Sequence, residues 1–423
     1  MGNIREVRIS RKTRIGDYDQ FAKGTEAGLR KIAKPLRGRR ILHVNATADG
    51  GGVAELLQGQ VSFENALGLA SRWFVINAPS RFFAATKQMH NLLQGKSGRL
   101  DEGSKRFYLE MNRAFGRSLM RIVSSFRPHA VVIHDPQPLA AIGALAGKVP
   151  VISRLHGDLL TPNTETLEFI RPFLMKAKRV VMSNRDYLKN FPWLSPRQAD
   201  IIYPAIDPFS AKNKPMEKDA AARILEGFGV NPTKPLIAQI SRFDPWKDPM
   251  GVVQAYYRAK NVFPTLQLAL VGLTLAKDDP GAADIFRQIK KHEKGDPDIF
   301  LFADPRITKR VPNDALVSAA YVASEVIVQK SIREGFGLTM TEAMWKGKAL
   351  VAGRTSGARA QISDGRNGIL VSSPEEAGRA IVRLLRHPAF RAKLGRAARE
   401  SVRRHFLMPR FVADNLKLYK EVA

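Results

Sequence analysis

The sequence predicts an α/β protein built from two doubly wound domains that face each other across a cleft. Short apolar runs rich in β-branched residues alternate with helical patterns along most of the 423 residues, and this alternation is typical of parallel sheets covered by helices. The alternation stops between Pro204 and Pro215, where three prolines fall within twelve residues, and then restarts. A proline-rich break after a strand favours a hinge between two domains.

The expected domain bounds follow from this break. Residues 1–38 are polar and basic, with a helical pattern over about 19–36, and are interpreted as an N-terminal extension. An N-terminal domain is expected over 39–209. A C-terminal domain is expected over 210–423, ending in basic helices that could pack back on the N-terminal domain.

Each domain is predicted to alternate strands with helices. The N-terminal strands are expected at 40–45, 73–76, 130–133, 149–152, 179–182 and 201–203, and the helices at 53–67, 82–93, 102–126, 139–146 and 166–177. The C-terminal strands are expected at 236–240, 268–271, 299–302, 326–328, 349–352 and 369–371, and the helices at 249–259, 282–292, 314–323 and 339–345.

The composition is that of an ordinary globular protein, with 44% hydrophobic and 25% charged residues. The chain has no cysteine, which excludes disulfides, thiol catalysis and cysteine–metal sites. The N-terminal residues lack the apolar core of a signal peptide, and no apolar run approaches the length of a membrane span. A cytoplasmic location is therefore expected.

The formal net charge of +29 is unusual and attracts anionic partners. Basic residues are dense in the C-terminal helices, but aromatic residues do not alternate with them as base stacking would require. No specific nucleic-acid partner is therefore expected. Two interpretations stay open, namely solvated helix faces that keep the protein soluble, and peripheral contact with anionic surfaces.

The stretch from Ser331 to Gly347 carries the first chemical signal. It follows the apolar run 326–328 and contains a glycine-bearing turn that opens a short helix, a layout that leaves N–H groups available to an anion. Glu334 and Glu342 flank the turn and can face one crevice, where a carboxylate can accept hydrogen bonds from the vicinal hydroxyls of a ribose. The alternative is a solvated loop acid and a helix acid favoured by the dipole.

Arg242 and Lys247 supply the second signal, because they follow the apolar run 236–240. Ligands bind at the carboxyl ends of strands in open α/β sheets, and two cations there can neutralise a diphosphate, including the charge that develops as it leaves. Together with Glu334 and Glu342 they match a nucleoside diphosphate bearing a sugar. No metal is needed if these two cations and the helix N-terminus supply the positive charge, and the carboxylate pair Asp296 and Asp298 is interpreted as a turn because it precedes its strand.

In the N-terminal half, a strand at 40–45 runs into Gly50, Gly51 and Gly52, and a helix follows. This is the strand, glycine loop and helix with which a mononucleotide-type half begins, although the spacing is not the dinucleotide fingerprint. His43 is expected to be a packed core residue. His156 follows the end of another strand, which is where ligands of open α/β sheets bind.

These segments resemble the retaining glycosyltransferases of the GT-B fold that use nucleotide-sugars, and in particular the glycosyltransferring trehalose synthases. The likeness lies in His43–Thr47 running into Gly50–Glu55, in His134–Leu139, in Ser241–Pro249 and in Ile332–Gly347. The resemblance covers about 40–371.

The resemblance implies that the C-terminal domain binds the donor through the turn Gly335, Phe336, Gly337 and Leu338, with Glu342 on the ribose, Arg242 and Lys247 on the diphosphate, and Glu334 on the transferred sugar. The acceptor sugar would lie against Gly51, Gly52, Asp135, Gln137 and His156, and the residues nearest the reaction would be Glu334, Arg242, Lys247 and His156. The implied reaction moves glucose from a nucleoside diphosphate glucose to glucose, giving trehalose with retention and without a cofactor or metal.

Alternatives remain at this stage. Another retaining enzyme of this fold, such as a trehalose phosphorylase or a transferase with a different acceptor, would carry similar motifs. A non-catalytic protein that binds polyanions or membranes is a third possibility. The segments Ser356–Ala358 and His156–Asp158 depart from the family pattern, which leaves the hexose and the acceptor open. The nucleobase, the chemical route of retention and a homodimer are also left open.

Overall fold

The structure is a computed structural model that describes residues 3–9, 12–49, 51–272 and 282–422. It divides into two compact units. The first comprises the chain up to Ala205 together with the segment from Met408 onward, and the second runs from Ile206 to Leu407. No helix in the described part of the chain is long and apolar enough to span a membrane.

Elements are labelled in chain order. The strands of the first unit are β1 Asn3–Val7, β2 Arg40–Asn45, β3 Ala70–Asn77, β4 Ala130–His134, β5 Val151–Arg154, β6 Arg179–Met182 and β7 Ala199–Ile201. Its helices are α1 Thr25–Ala33, α2 Gly52–Ala66, α3 Ser80–Leu93, α4 Glu102–Phe126, α5 Ile142–Leu145, α6 Thr164–Leu174 and α15 Met408–Val422.

The second unit has the same alternation. Its strands are β8 Leu236–Ile240, β9 Gln267–Val271, β10 Ile299–Phe302, β11 Val326–Gln329, β12 Ala349–Gly353 and β13 Ile369–Val371. Its helices are α7 Lys218–Glu226, α8 Pro249–Lys260, α9 Ala282–His292, α10 Asn313–Ala323, α11 Leu338–Trp345, α12 Ser356–Gln361, α13 Pro374–Arg386 and α14 Pro388–His405.

The first sheet has the order β1-β3-β2-β4-β5-β6-β7, with β1 antiparallel to β3 and the other pairs parallel. The chain leaves β2 toward β3 on one side and leaves β4 toward β5 on the other, so the strand order reverses between β2 and β4. Ligands of open α/β sheets bind at this kind of reversal, beyond the carboxyl ends of the strands.

The second sheet is entirely parallel and has the order β10-β9-β8-β11-β12-β13. Numbered from its own first strand, this is the order 3-2-1-4-5-6 of the doubly wound nucleotide-binding fold. Its reversal lies between β8 and β11. The expectation of two doubly wound Rossmann-like domains is thus confirmed for each unit.

The central strands are buried on both faces, as expected for parallel sheets between helices. All residues of β4, β8, β9 and β12 are buried. In the first unit Phe82, Phe115 and Leu119 pack against the sheet core, and in the second unit Tyr256 and Leu384 do so. Because rigid strands underlie both reversal points, the loops that follow them start from fixed positions.

Three segments differ from the expected bounds. Residues 1–38 are not a separate extension, since β1 forms the edge of the first sheet. The helical pattern over 19–36 is interrupted, because a 3-10 turn ends at Gln20 and α1 begins only at Thr25, after Gly24 with its φ of +79°. The second unit ends at Leu407, because α15 packs against α1 and α2 within the first unit.

Candidate functional site

Two loops of the second unit meet at its reversal point. The loop after β8 (residues 241–248) and the turn after β11 (residues 331–337) are joined by a backbone hydrogen bond of 2.8 Å from Ile332 N–H to the Trp246 carbonyl. Two buried strand glutamines hold the same region, since Gln239 donates to the Lys247 carbonyl at 2.7 Å and Gln329 donates to the Ile240 carbonyl at 2.7 Å. The loop and the turn therefore form one structure.

Lys247 and Glu334 form an ion pair at this junction, with 2.5 Å between Lys247 Nζ and Glu334 Oε2. Their side chains are only 20% and 12% exposed, so water screens their attraction less than it would at an open surface. Both residues were predicted to lie at one site, and in the structure they are in direct contact. The pair offers an ammonium group and a carboxylate to a ligand.

Gly337 opens α11 in a conformation that a side chain would not tolerate. Its φ is +82°, and a Cβ atom there would lie 2.5 Å from Met340 Cε and 2.9 Å from Glu334 Cγ. Leu338 then begins the helix without a side-chain cap. The N-terminus of α11, next to Glu334, is thus built from backbone N–H groups that can face a ligand.

Glu342 lies in the second turn of α11, and its side chain is 1% exposed. Lys212 Nζ is 2.6 Å from its Oε1, and the Tyr321 hydroxyl is 3.1 Å from its Oε2. A buried carboxylate requires such partners because burial removes its hydration. The structure therefore presents Glu342 as a carboxylate held in place by a cation and a hydroxyl.

The short helix α12 packs against the 331–337 turn and hydrogen-bonds its backbone. Gly357 N–H and Ser356 Oγ–H both donate to the Glu334 carbonyl at 3.1 Å, and Gln361 Nε2 donates to the Phe336 carbonyl at 2.5 Å. A Cβ atom at Gly357 would lie 2.7 Å from Phe336 Cα. The segment in which the sequence departs from the family pattern therefore holds the backbone of Glu334.

Arg242 is the most exposed of the predicted donor residues. Its side chain is 43% exposed, and its Nη2 lies 3.9 Å from Asp244 Oδ2. Asp244 is buried, and its Oδ1 accepts the Trp246 N–H at 2.9 Å. The guanidinium group therefore stands at the surface of the same loop that carries Lys247.

The predicted acceptor residues follow the reversal point of the first unit. Asp135 adopts a φ of +62° directly after β4, and its Oδ1 accepts the backbone N–H of His156 at 2.8 Å. Burial raises the pKa of Asp135 to about 7, although Arg154 and the His156 N–H act in the opposite direction. Among the residues that the structure describes, the buried Oε1 of Gln137 has no hydrogen-bond partner.

The glycine loop follows β2, the neighbouring strand. Gly51 is extended at the start of α2 and Gly52 is its first residue, while Gly50 lies outside the described residues. Asn45 at the end of β2 holds the beginning of this loop, since it accepts from Trp73 Nε1 at 2.7 Å and donates to the Thr47 carbonyl at 2.8 Å. Asp135 and the glycines thus follow adjacent strands of one sheet.

Three buried side chains, His134, His43 and Glu64, continue inward from the half-buried His156, and we call the four residues together the histidine row. The distances are 3.0 Å from His156 Nε2 to His134 Nδ1, 3.2 Å from His134 Nε2 to His43 Nδ1, and 3.1 Å from His43 Nε2 to Glu64 Oε2. His43 is buried as expected, but both of its ring nitrogens are hydrogen-bonded.

The carboxylate pair Asp296 and Asp298 is engaged elsewhere. Lys260 Nζ lies 2.6 Å from Asp296 Oδ1 and 2.9 Å from Asp298 Oδ2, and Lys234 lies 3.1 Å from Asp298. Within the described ranges no group of three or more histidine and acidic side chains could hold a metal ion. The pair therefore belongs to an ion-paired turn, as its position before β10 indicated.

Several residues of these clusters were missed by the sequence analysis. Lys212 lies in the proline-rich segment, which was interpreted only as a hinge, and Tyr321 lies in the helix expected at 314–323, to which no role was given. Glu64 lies within α2, where a glutamate on a helix gives no sign of burial. A basic residue between closely spaced prolines was the one available signal for Lys212.

The two Rossmann-like units, together with the similarities to known proteins that follow, show that the chain is a glycosyltransferase of the GT-B class. A family model described as glycosyl transferases group 1 matches residues 222–401. A second model, described as the N-terminal domain of trehalose synthase, matches residues 43–189. The trehalose synthase of Pyrococcus horikoshii is 40% identical over 412 residues, which are 97% of this chain and 96% of that protein. The chain belongs to the trehalose synthase family.

Two further relatives are informative. The trehalose phosphorylase of Grifola frondosa is 27% identical over 421 residues, covering 86% of this chain and 55% of that protein. The solved structure of Anabaena HepE in complex with UDP-glucose is similar in fold, with a TM-score of 0.67 at 16% identity, covering 91% of this chain and all of that one. The second similarity concerns the fold alone.

Proposed function

We propose that the protein transfers glucose from a nucleoside diphosphate glucose to glucose and forms trehalose with retention at the anomeric carbon. The ion pair between Lys247 and Glu334 at the reversal point of the second sheet carries this proposal. A cation and a carboxylate in contact there match the two ends of a sugar diphosphate, since the cation suits the phosphate oxygens and the carboxylate suits the sugar hydroxyls.

The donor is assigned to the second unit. Arg242 and Lys247 would neutralise the diphosphate and stabilise the charge that grows on it as it leaves. Glu342, already held by Lys212 and Tyr321, would accept hydrogen bonds from the ribose hydroxyls. The turn Gly335, Phe336, Gly337 and Leu338 would bring its N–H groups to the phosphates.

The acceptor glucose is assigned to the first unit, against Gly51, Gly52, Asp135, Gln137 and His156. The unpartnered Oε1 of Gln137 supports this assignment, because a buried amide oxygen without a hydrogen bond is costly and a ligand hydroxyl would satisfy it. Asp135 orders the loop through the backbone N–H of His156.

We propose that retention arises on a single face of the sugar, where the leaving phosphate takes the proton of the acceptor hydroxyl. Glu334 is paired to Lys247 and its backbone is held by α12, which suits a residue that positions the sugar rather than one that forms a covalent bond. The positive charge of Arg242, Lys247 and the α11 N-terminus would serve in place of a metal ion.

The decisive experiment supplies the purified protein with glucose and with ADP-, UDP- or GDP-glucose, each with and without a chelator. NMR then detects the non-reducing disaccharide. Trehalose from at least one donor, unaffected by chelator, is the expected result. The absence of trehalose with every donor would refute the proposed reaction, and inhibition by chelator would refute the metal-free mechanism.

A trehalose phosphorylase is the second candidate, and the relative from Grifola frondosa favours it. Such an enzyme would release a sugar phosphate from trehalose and inorganic phosphate without any nucleotide. Incubation with trehalose and phosphate, against a parallel reaction with trehalose and a nucleoside diphosphate, separates the two activities. A sugar phosphate in the first reaction, without a nucleoside diphosphate sugar in the second, would favour the phosphorylase.

A further inference from the structure

The histidine row connects the predicted acceptor loop with the interior of the first unit. His43, His134 and Glu64 are 0% exposed, and they come from β2, β4 and α2, whereas His156 follows β5. All three hydrogen bonds have the same orientation, because each uses the Nε2 of the outer ring. In two of them the partner is the Nδ1 of the next ring inward, and in the third the partner is Glu64. The proposed reaction uses only the outermost member, His156.

Glu64 determines which nitrogen of each ring in the histidine row donates a hydrogen bond. An ionised carboxylate can only accept a hydrogen bond, whereas a neutral imidazole has one donor and one acceptor nitrogen. His43 must therefore donate from Nε2 to Glu64, and its Nδ1 must accept from His134 Nε2. By the same rule, His134 Nδ1 accepts from His156 Nε2. The Nδ1 atom of His156 is then left without a proton.

The inner end of the row keeps Glu64 ionised. Its Oε1 accepts from Gln60 Nε2 at 2.8 Å and from the Tyr419 hydroxyl at 2.9 Å. Burial alone would raise the pKa of Glu64, but its contact with His43 and its side-chain hydrogen bonds, among them the one from Gln60, outweigh burial, and the pKa is lowered. The carboxylate consequently stays an acceptor on both of its oxygens.

The outer part of the row is held neutral. Burial lowers the pKa of His134 and of His156 well below the usual range, and the positive charge of Arg154 acts in the same direction on both. Arg154 itself is fixed by Asn415 at 3.0 Å and by the Ile202 carbonyl at 3.1 Å. Because both rings are neutral, each has one donor and one acceptor nitrogen, and the tautomer that Glu64 selects at His43 determines the tautomers of His134 and His156.

His156 is the only member with a ring nitrogen left for a ligand. Its backbone N–H is bound by Asp135, its Nε2 is bound by His134, and the described residues provide no partner for its Nδ1. Its ring lies almost parallel to that of His134, with 12° between the ring planes. Both the position and the orientation of His156 are thus set by residues of the first unit.

We propose that Glu64 is a positioning residue that acts through His43 and His134 to keep His156 in the Nε2–H tautomer, so that Nδ1 accepts a hydrogen bond from a hydroxyl group of the acceptor sugar. This inference rests on the proposed role of His156 in acceptor binding. A site that accepts from a particular hydroxyl discriminates strongly against an analogue that lacks it. Glu64 would thereby contribute to acceptor specificity from deep inside the unit.

The substitution Glu64→Gln tests the direction of the row with little change of shape. Gln60 and Tyr419 both donate toward this position, so they select the orientation in which the new amide oxygen faces them and the NH₂ group faces His43. The amide would then donate to His43 Nε2. Each ring must reverse in turn, and His156 would carry its proton on Nδ1.

NMR of the protein labelled with ¹⁵N-histidine, recorded without any substrate, reads the tautomers directly. We expect the Nε2–H form for His43, His134 and His156 in the wild type and the Nδ1–H form for all three in Glu64→Gln. Glu110→Gln is the matched control, because it removes one negative charge from an exposed position on α4. It should leave every tautomer unchanged.

Kinetics then connect the tautomer to the sugar. With glucose as acceptor, Glu64→Gln should raise KM for glucose roughly ten- to hundredfold, because a protonated His156 Nδ1 can no longer accept the hydrogen bond of the sugar hydroxyl. KM for the donor should stay unchanged. A merely structural role would lower the melting temperature and alter both constants. Unchanged tautomers in Glu64→Gln, or reversed tautomers with an unchanged KM for glucose, would overturn the proposal.

His134→Phe is a second variant that tests the same proposal if Glu64→Gln does not fold. It preserves the contact between His43 and Glu64 but removes the acceptor for His156 Nε2, so His156 should populate both tautomers. A single Nε2–H form of His156 in this variant would also overturn the proposal. If the wild type forms no trehalose, the proposed reaction fails, whereas the substrate-free spectra still decide whether Glu64 directs the row.

Discussion

Replacement of Lys212 by methionine should destabilise the second unit by several kilocalories per mole. Lys212 Nζ lies 2.6 Å from Glu342 Oε1, and the two side chains are 13% and 1% exposed. Methionine nearly preserves the length and volume of the lysine stem, so the main effect is the loss of the positive charge. Removing one partner of a buried ion pair leaves an uncompensated charge and costs about 3–5 kcal/mol.

The expected loss lies near the lower end of that range, at about 3 kcal/mol, because Lys212 is not fully buried and Tyr321 still donates to Glu342. For a unit of this size, each kcal/mol lowers the melting temperature by about 2–4 °C, so a decrease of roughly 6–12 °C is expected. Urea unfolding measures the free energy of unfolding directly, and the m-value should be the same in the variant and the wild type.

Two further variants make this test specific. In Lys212→Met combined with Glu342→Gln, both charges are absent and an amide can still bond Tyr321, so most of the lost stability should return. Lys214→Met removes the same charge from an exposed position two residues away and should change stability by less than about 0.5 kcal/mol. If Lys212→Met were as mild as Lys214→Met, the charge pairing of Glu342 would not stabilise the unit.

Three other variants test the site. Glu334→Gln should lower the transfer rate at least about a hundredfold if this carboxylate positions the sugar, and near-full turnover in the trehalose assay would exclude that role. Gly357→Ala should cost about 1–3 kcal/mol in urea unfolding, because its Cβ would lie 2.7 Å from Phe336 Cα; a stability equal to wild type would contradict this close packing. Asp135→Asn should reduce the pH dependence of stability.

The sign of the pH effect follows from the raised pKa of Asp135, which is about 7 against an ordinary value of 3.8. The folded state binds this proton more tightly than the unfolded state, so the contribution to stability is complete below about pH 4 and is lost as pH rises to 7. The asparagine variant should lack this loss, a difference of up to about 1.4 kcal/mol per pH unit between the two values. Identical pH profiles for the two proteins would exclude the raised pKa.

Matched controls separate these effects from general damage. Glu226→Gln, at an exposed position of the second unit, is the control for Glu334→Gln and should keep full activity. Gly28→Ala, where nothing lies within 4 Å of the added Cβ, is the control for Gly357→Ala and should not destabilise. Asp219→Asn, at an exposed site, should leave the pH profile of stability unchanged.

Much of the fold could be predicted because its elements have strong local signals. The helix at 102–126 was predicted with the bounds that α4 has, since its apolar period is regular and Asp101 caps it by accepting from Ser104 N–H. The strand β1 was missed because its five residues are mostly polar and only Ile4 is buried, so it lacks the apolar run of the other strands. The six residues of α12 were missed because they are too few to show a helical period.

The site could be predicted only where it follows from strand order. Lys247 and Glu334 follow β8 and β11, and the carboxyl ends of neighbouring parallel strands lie at one edge of a sheet. The pairing of Lys212 with Glu342 has no such rule, because Lys212 lies in irregular chain far from α11 in sequence. The contact of Glu64 with His43 is equally invisible, since neither period nor spacing reveals a hydrogen bond between a helix and a strand.

Polar residues near the carboxyl ends of buried strands have a common explanation in this protein. Gln239 and Gln329 in the second sheet, and His43, Asn45 and His134 in the first, are all buried within otherwise apolar strands. A buried polar group must be hydrogen-bonded, and at the end of a strand its nearest partners belong to the loop that follows or to the neighbouring strand. Each of these side chains makes such a bond. These polar side chains flank the two reversal points. A polar residue in an apolar strand looks unfavourable for folding, but here it helps to hold the proposed ligand-binding loops in place.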